Sequence, residues 1–300
     1  AEGSSLKMVK TEVKKLDSTK REINVEVSGE VVKNKFEDVF KKIAKDAKVP
    51  GFRPGNAPRD ILEKHYSANA HEHVLRELVP EVYGQAIDKE KLDVVELPEI
   101  SDIRLDRSNL SFKAVVEVTP QIEIKHYKGI ELNYKKLSAS TDEIKRYIDS
   151  LKEARKVDAA DDNFAKSLGY PSLTELEKAT ERQISIQKEN AQRQRMETEL
   201  IDSLINGLDF KLPQSLINRQ LQELVRQAKL DLALKGVGRE KIDEHEAKLS
   251  KELEPEARRQ VKVYLVLAEI AKKEKIALDN KMTSRVMELL FKEADWKELS

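Results

Sequence analysis

Residues 110–118 read Leu110-Ser111-Phe112-Lys113-Ala114-Val115-Val116-Glu117-Val118, with an apolar side chain at every even position. A period of two puts Leu110, Phe112, Ala114, Val116 and Val118 on one face of a half-buried strand. Just upstream, Asp106-Arg107-Ser108-Asn109 is a turn signal that folds the chain back onto a strand near Ile103. Far upstream the same alternation recurs in Ile23, Val25 and Val27, and the turn Asp17-Ser18-Thr19-Lys20 links it to an earlier strand from Val9 to Leu16. Between the two strand pairs the period changes. Val32, Phe36, Val39, Phe40, Ile43 and Ala47 stand at helical spacing, so a helix is predicted over about 29–48, with others over about 58–65 and 67–90. Strands at both ends with helices between them specify a small α+β domain built on an antiparallel sheet. Its expected span is 8–120, with Pro120 at the end; residues 1–7 read as an extraneous leader ahead of Met8.

The remainder reads differently. Residues 121–137 look extended, with Ile122, Ile124, Ile130 and Leu132 in alternating style. Thr141-Asp142-Glu143 opens a helix that fades in the acidic, small-residue stretch 156–162, so 121–157 is assigned as linker and first part of a helical domain. From 161 onward every signal is helical, and 158–300 is assigned as the main helical domain. Gly169 stops one helix, and Ser172-Leu173-Thr174-Glu175 is a capping-box pattern for the next. That helix could run to Asn206, about 50 Å at 1.5 Å per residue. Its middle, Gln187–Arg195, is polar on all sides and reads as part of a projecting arm. Pro213 begins another helix, ended by Gly236-Val237-Gly238; a third is predicted over 239–253 and a fourth from Pro255. The expected fold class is α+β: a small N-terminal antiparallel sheet with helices, then an elongated all-α C-terminal domain with projecting helical arms.

One segment of the first domain stands out for function. Residues 51–58 read Gly51-Phe52-Arg53-Pro54-Gly55-Asn56-Ala57-Pro58. Two glycines and two prolines in eight residues exclude regular structure, and Val49-Pro50 pushes the chain out of the preceding helix. Turn tips are ordinarily filled with Asn, Asp, Ser and Gly. A tip that carries an aromatic ring beside a guanidinium, mounted between two helices, is suited to docking. The blander alternative has Phe52 plugging a local core and Arg53 pairing with Asp60.

The pattern Gly51-Phe52-Arg53-x-Gly55-x-x-Pro58 resembles the ribosome-binding signature of the trigger factor family, bacterial chaperones that meet nascent chains at the ribosomal exit tunnel. Softer similarity extends to Leu212–Ile217, to Arg258–Ala271 and to Phe164–Tyr170, and it covers nearly all of 8–290. The resemblance implies ribosome binding through Gly51, Phe52, Arg53, Pro54 and Gly55. Family members often carry lysines where this chain has Pro54 and Asn56, so docking here leans on Phe52 and Arg53 more than on general phosphate attraction. The family's peptidyl-prolyl isomerase domain of the FK506-binding type would be inserted near 156–160. This chain passes there directly from Ala154-Arg155 to Phe164, so no isomerase, and no enzyme, is expected.

Composition sets outer limits. The 300 residues are 37% charged and 5% aromatic, with 55 basic and 55 acidic side chains. The core must therefore be aliphatic and the surface large, and zero net charge provides no global basic field for nucleic acid. There is no cysteine, which excludes disulfides and thiolate chemistry. No apolar run approaches the ~20 residues of a membrane span and no signal-peptide core is visible, so a cytoplasmic location and no membrane partner are expected. His71-Glu72-His73 sets two imidazoles on divergent sides of a helix, so solvated histidines rather than a metal site are expected. Gly236-Val237-Gly238 lacks the rest of a dinucleotide loop, and no ATPase motif occurs. No cofactor or metal is expected.

The expected activity is therefore an ATP-independent holdase. Its partners would be the ribosome (a tunnel-exit protein and nearby rRNA), nascent and unfolded polypeptides, and, by family resemblance, a second copy when off the ribosome. Candidates for contact with unfolded chains are Leu216, Ile217, Met282, Met287, Leu290 and Phe291, because adaptable apolar patches bind varied sequences. For any one of these a place in the bundle core is the plainer reading. Alternatives are a periplasmic chaperone of the SurA type, residual isomerase activity, or a helical scaffold with no client.

Overall fold

The computed structural model describes residues 9–52 and 56–299. The chain divides into two compact units, each built from two separate stretches. One joins everything up to Ile122 with Asp209–Lys262; the other joins Glu123–Leu208 with Val263–Ser300.

The first unit opens with β1 (Val9–Lys15) and β2 (Lys20–Ser28), continues with α1 (Glu30–Asp46) and α2 (Arg59–Glu90), and returns through β3 (Glu99–Leu105) and β4 (Asn109–Glu117). The four strands form one antiparallel sheet in the order β1-β2-β4-β3. In the central pair Ile23 faces Ala114, Val25 faces Phe112 and Val27 faces Leu110. All six are buried in one cluster with Val32, Phe36, Val39 and Phe40 of α1 and Leu62, Val74, Leu78 and Val82 of α2. The alternation read from sequence thus aims one face of the sheet at both helices.

The two hairpin turns use the same device. Asp17 Oδ1 accepts from the N–H of Thr19 (2.7 Å) and of Lys20 (2.8 Å); Asp106 Oδ1 accepts from Ser108 and Asn109 (both 2.7 Å). These carboxylates mimic a backbone turn and bring the strands back in register. The amide of Ser108, with those of Asn109, holds the Asp106 carboxyl at about 2. Asp17 is held still lower, first by Lys211 Nζ at 2.6 Å and then by Thr19.

The predicted helices at 58–65 and 67–90 are continuous as α2, with a kink at Tyr66 (φ −122°, ψ 16°) where the break was expected. The first unit also contains α6 (Gln214–Leu234), α7 (Arg239–Glu244) and the first part of α8 (Glu246–Lys273). Pro213 sits at the N-cap of α6. A helix starting at Pro255 is not what forms: Pro255 lies inside α8, and the break falls at His245. A proline removes one N–H, here the partner of the Lys251 carbonyl, and Lys251 is exposed so that water can replace it.

The second unit contains β5 (Glu131–Tyr134), α3 (Thr141–Arg155), α4 (Asp162–Ser167), α5 (Leu173–Ile205), the end of α8, α9 (Met282–Lys292) and β6 (Asp295–Glu298). Ile148, Phe164, Ala165 and Leu176 form a core between α3, α4 and α5. The complete capping box is at the start of α3: Ser140 Oγ accepts from Glu143 N–H (3.3 Å) and Glu143 Oε2 accepts from Ser140 N–H (2.8 Å). At α5 only half of the expected box forms. Ser172 Oγ accepts from Glu175 N–H, while the Glu175 carboxylate turns to Lys178 at 3.0 Å. The polar middle of α5 finds partners in the segment before α3. Gln192 bonds both backbone groups of Lys135, and Lys188 reaches Ser138 O and Glu143.

One element stands outside the helical reading of the C-terminal region. β6 pairs in parallel with β5, Leu132 facing Trp296. Trp296 packs edge-on to Tyr134 and stacks on Phe291 at 5.9 Å, and its indole N–H donates to Phe291 O. The pairing spans more than 160 residues of chain, and four residues of mixed character carry no strand period that a local window could detect.

Lys188, and after it the Ser140 N–H, hold the Glu143 carboxyl at about 2, below its ordinary value of 4.5. A depressed folded-state pKa stabilises above the ordinary value and is lost as pH falls through the depressed one. Stability should therefore decline between pH ~4.5 and ~2, and Glu143→Gln should flatten that part of the profile while lowering stability at pH 7. Thermal unfolding followed from pH 7 to pH 2 checks both.

Candidate functional site

The chain leaves α1 at Ala47, whose N–H still donates to Ile43 O. Ala47 and Val49 are buried, and Lys48 between them points outward. Next comes a tight reversal. Phe52 N–H donates to Val49 O at 3.1 Å, Pro50 occupies the second position and Gly51 the third with φ +84°. A proline followed by a positive-φ glycine, closed by that bond, is a type II turn. Pro50 presets the first central angle, and only glycine takes the second without strain.

This turn delivers Phe52, which is 41% exposed. The ring is therefore not a plug in the domain core, as the blander sequence reading allowed. Arg53, Pro54 and Gly55 lie outside the described residues, and with them the alternative pairing of Arg53 with Asp60.

Beyond Pro58, α2 is anchored at its first residue. The Arg59 guanidinium lies 3.7 Å over the Phe40 ring and bonds Glu63 (2.8 Å) and Glu37 (3.2 Å). Arg107, from the β3–β4 turn, bonds the other oxygen of Glu63 at 2.6 Å. Arg59, then Arg107, draw the Glu63 carboxyl below its usual range. Single surface ion pairs contribute little, but a shared carboxylate and a stacked guanidinium restrict geometry. On the other side, Tyr66 Oη bonds both the N–H and the C=O of Lys48, each at 3.1 Å. Sequence reasoning did not single out Arg59 or Tyr66. The available signal for Tyr66 was the helix break predicted between 65 and 67.

The residues expected to contact unfolded chains fall mainly inside. Leu216, Ile217, Met282 and Leu290 are buried, and Met287 and Phe291 are half-buried. Their helical spacing recorded core packing, the plainer of the two readings. A surface suited to apolar segments lies elsewhere in the first unit. Leu221, Val225, Leu230, Ala233, Val237 and Ile242 line an open groove of about 640 Å³ between α6, α7 and α8. Leu230 is 46% exposed, and Leu234 nearby is 87% exposed. Lys229 braces one side through Asp243 (2.9 Å) and Glu246 (2.8 Å). The signal was present in sequence: Leu230 falls outside the apolar stripe that Leu216, Ile217, Leu221, Leu224, Val225, Ala228 and Leu232 form along α6.

His71 is half-buried rather than solvated. Its ring packs edge-on to Phe36 at 5.0 Å, and Nδ1 is 2.8 Å from Ser67 O. Among the described residues no group of three or more metal-ligating side chains occurs. No helix among them is long and apolar enough to cross a membrane.

Comparison with known proteins accounts for both halves. Residues 9–151 match the family model described as bacterial trigger factor protein, and 172–295 match that of the trigger factor C-terminus. Trigger factor of Carboxydothermus hydrogenoformans is 24% identical over 364 residues, covering 87% of this chain and 85% of that protein. That of Halothermothrix orenii is 23% identical over 394 residues (95% and 91%). That of Halalkalibacterium halodurans is 35% identical over 141 residues, 46% of this chain and 33% of its own. A solved trigger factor chaperone, studied for promiscuous substrate recognition in folding and assembly, superposes with a TM-score of 0.53 at 14% identity, covering 94% of this chain and 90% of that one. In the alignment of 364 positions this 300-residue chain fills only about 260, so about a hundred positions of the relative face gaps.

Gly51, in the turn, and Gly84, inside α2, should respond oppositely to alanine. A Cβ meets nothing within 4 Å at either position, so backbone preference alone decides. Gly51→Ala should destabilise by about 1 kcal/mol through its positive φ. Gly84→Ala, inside α2, should stabilise by about 0.5–1 kcal/mol. Urea unfolding of the two variants measures both signs.

Proposed function

The chain belongs to the trigger factor family, and from that premise we propose that it is an ATP-independent chaperone of the cytoplasm that docks on the ribosome. Docking would occur near the tunnel exit through residues 51–58, leaving the helical elements to hold nascent or unfolded polypeptide. The observation that carries this reading is Phe52. It is an exposed aromatic ring placed at the end of a type II turn whose two flanks are tied down. An aromatic anchor on a rigid mount loses little entropy on burial in a partner's pocket. Arg53 would pair with a carboxylate or an RNA phosphate, and Pro54 and Gly55 would shape the tip.

For client capture, the groove between α6, α7 and α8 replaces the buried side chains. Open, apolar and edged by charged residues, it suits short hydrophobic segments of varied sequence. Its occupants would exchange without any nucleotide cycle.

We also propose that the chain has no prolyl isomerase activity. The two matched family stretches are separated only by residues 152–171, too short a span for a domain of ordinary size. Within that span α3 gives way to α4, with Lys156 as a left-handed cap and Asp161 capping the next helix.

Alanine at Phe52, Arg53 and Pro54 together should abolish co-sedimentation with ribosomes and leave helicity unchanged by circular dichroism; undiminished binding would refute the docking role. Val237→Ser with Leu230→Ser should reduce suppression of aggregation of an unfolded client several-fold without affecting ribosome binding. Equal suppression by wild type and variant would place client capture outside the groove.

A further inference from the structure

We infer that Tyr66 is a positioning residue for docking: its phenol clamps Lys48 and so sets the direction in which the turn presents Phe52. The inference rests on the docking role proposed above for Phe52.

The geometry around Lys48 is unusual. Lys48 belongs to no helix or strand, yet both its backbone groups are bonded, and by one side chain. Its N–H donates to Tyr66 Oη, and the Tyr66 hydroxyl donates to its carbonyl, each at 3.1 Å. The next residue, Val49, accepts the bond from Phe52 that closes the turn. Orientation is thus passed from Tyr66 through Lys48 and Val49 to Phe52 over the five consecutive positions 48–52.

The clamp coincides with the one non-helical residue inside α2, Tyr66 itself. Sharp helix kinks have identifiable causes: proline, glycine or serine pairs, bulges, or an inserted group. Pro80 is fourteen residues away, and neither glycine nor proline adjoins Tyr66. Ser67 adjoins it, its carbonyl 2.8 Å from His71 Nδ1, and so does the tertiary bond to Lys48.

Lys48 is solvent-exposed, so water can satisfy its backbone once the hydroxyl is gone. Loss of the clamp should therefore affect the domain's stability little and the order of the turn a great deal. Preorganised loops bind more tightly because less freedom is lost on docking.

The test uses the full chain with purified ribosomes. Tyr66→Phe keeps the ring and removes only the hydroxyl; Phe52→Ala removes the proposed anchor. Ribosome affinity and amide hydrogen exchange are measured for both. The expected result is about tenfold weaker ribosome binding for Tyr66→Phe, with faster exchange confined to residues 48–52 and a larger loss for Phe52→Ala. If Phe52→Ala binds normally, the docking reading fails and the positioning role falls with it. If Phe52→Ala weakens binding but Tyr66→Phe does not, the docking role stands and the inference is overturned. If exchange rises throughout α1 and α2, Tyr66 is a general stability residue and the inference is likewise overturned.

Discussion

The register of β2 against β4 places Ile23, Val25 and Val27 opposite Ala114, Phe112 and Leu110, and every other feature of the first unit is downstream of that pairing. A slip of β2 by one residue would turn Ile23, Val25 and Val27 to solvent and bring Glu22, Asn24 and Glu26 to the helices. Two aspartates fix the flanking registers, β1 on β2 and β3 on β4, each accepting successive backbone N–H groups. With the register set, α1 and α2 have a single apolar surface on which to lie, and burial of aliphatic and phenylalanine side chains there supplies the main stabilisation.

That packing determines where the turn proposed for docking can be. Because α1 and α2 are both held on the sheet, the short link between them begins and ends at fixed points. Buried Ala47 and Val49 hold one side, and Arg59, stacked on Phe40, holds the other. The turn therefore presents its aromatic side chain from a rigid base, as a binding element carried on a loop requires. The chemistry is modest: an exposed ring on a turn of defined type. Its value lies in placement, which the sheet provides at a distance.

Much of this was legible in the chain itself. Alternation at 23–27 and 110–118 announced the strands, and Pro50-Gly51 announced the turn between two helices. Ser140 and Glu143 show where local rules needed space to decide. The sequence pattern places a capping box at Ser172–Glu175 and the start of α3 at Thr141. Only Ser140 completes one, because Lys178 draws away the carboxylate of Glu175. Leu216, Ile217, Met282 and Leu290 show the limit of composition. An apolar side chain on a helix reads the same whether it faces a core or a client, and burial separates the two.

What the sequence determined by itself was the set of elements bound to local chemistry: strand period, helix spacing, turn residues, and the aromatic-cation motif that resembles the trigger factor family's signature. These depend on neighbours within a few positions, so they survive without knowledge of the fold. Tertiary structure alone decided the parallel pairing of β5 with β6, the passage of α8 through Pro255, the grouping of 209–262 with the N-terminal residues, and the bonds from Tyr66 to Lys48. Each joins residues far apart in sequence or overrides a local preference by contacts from elsewhere in the fold. The turn at Gly51-Phe52 belongs to both: its shape was written locally, but its direction is set by a phenol eighteen residues along the chain from Lys48.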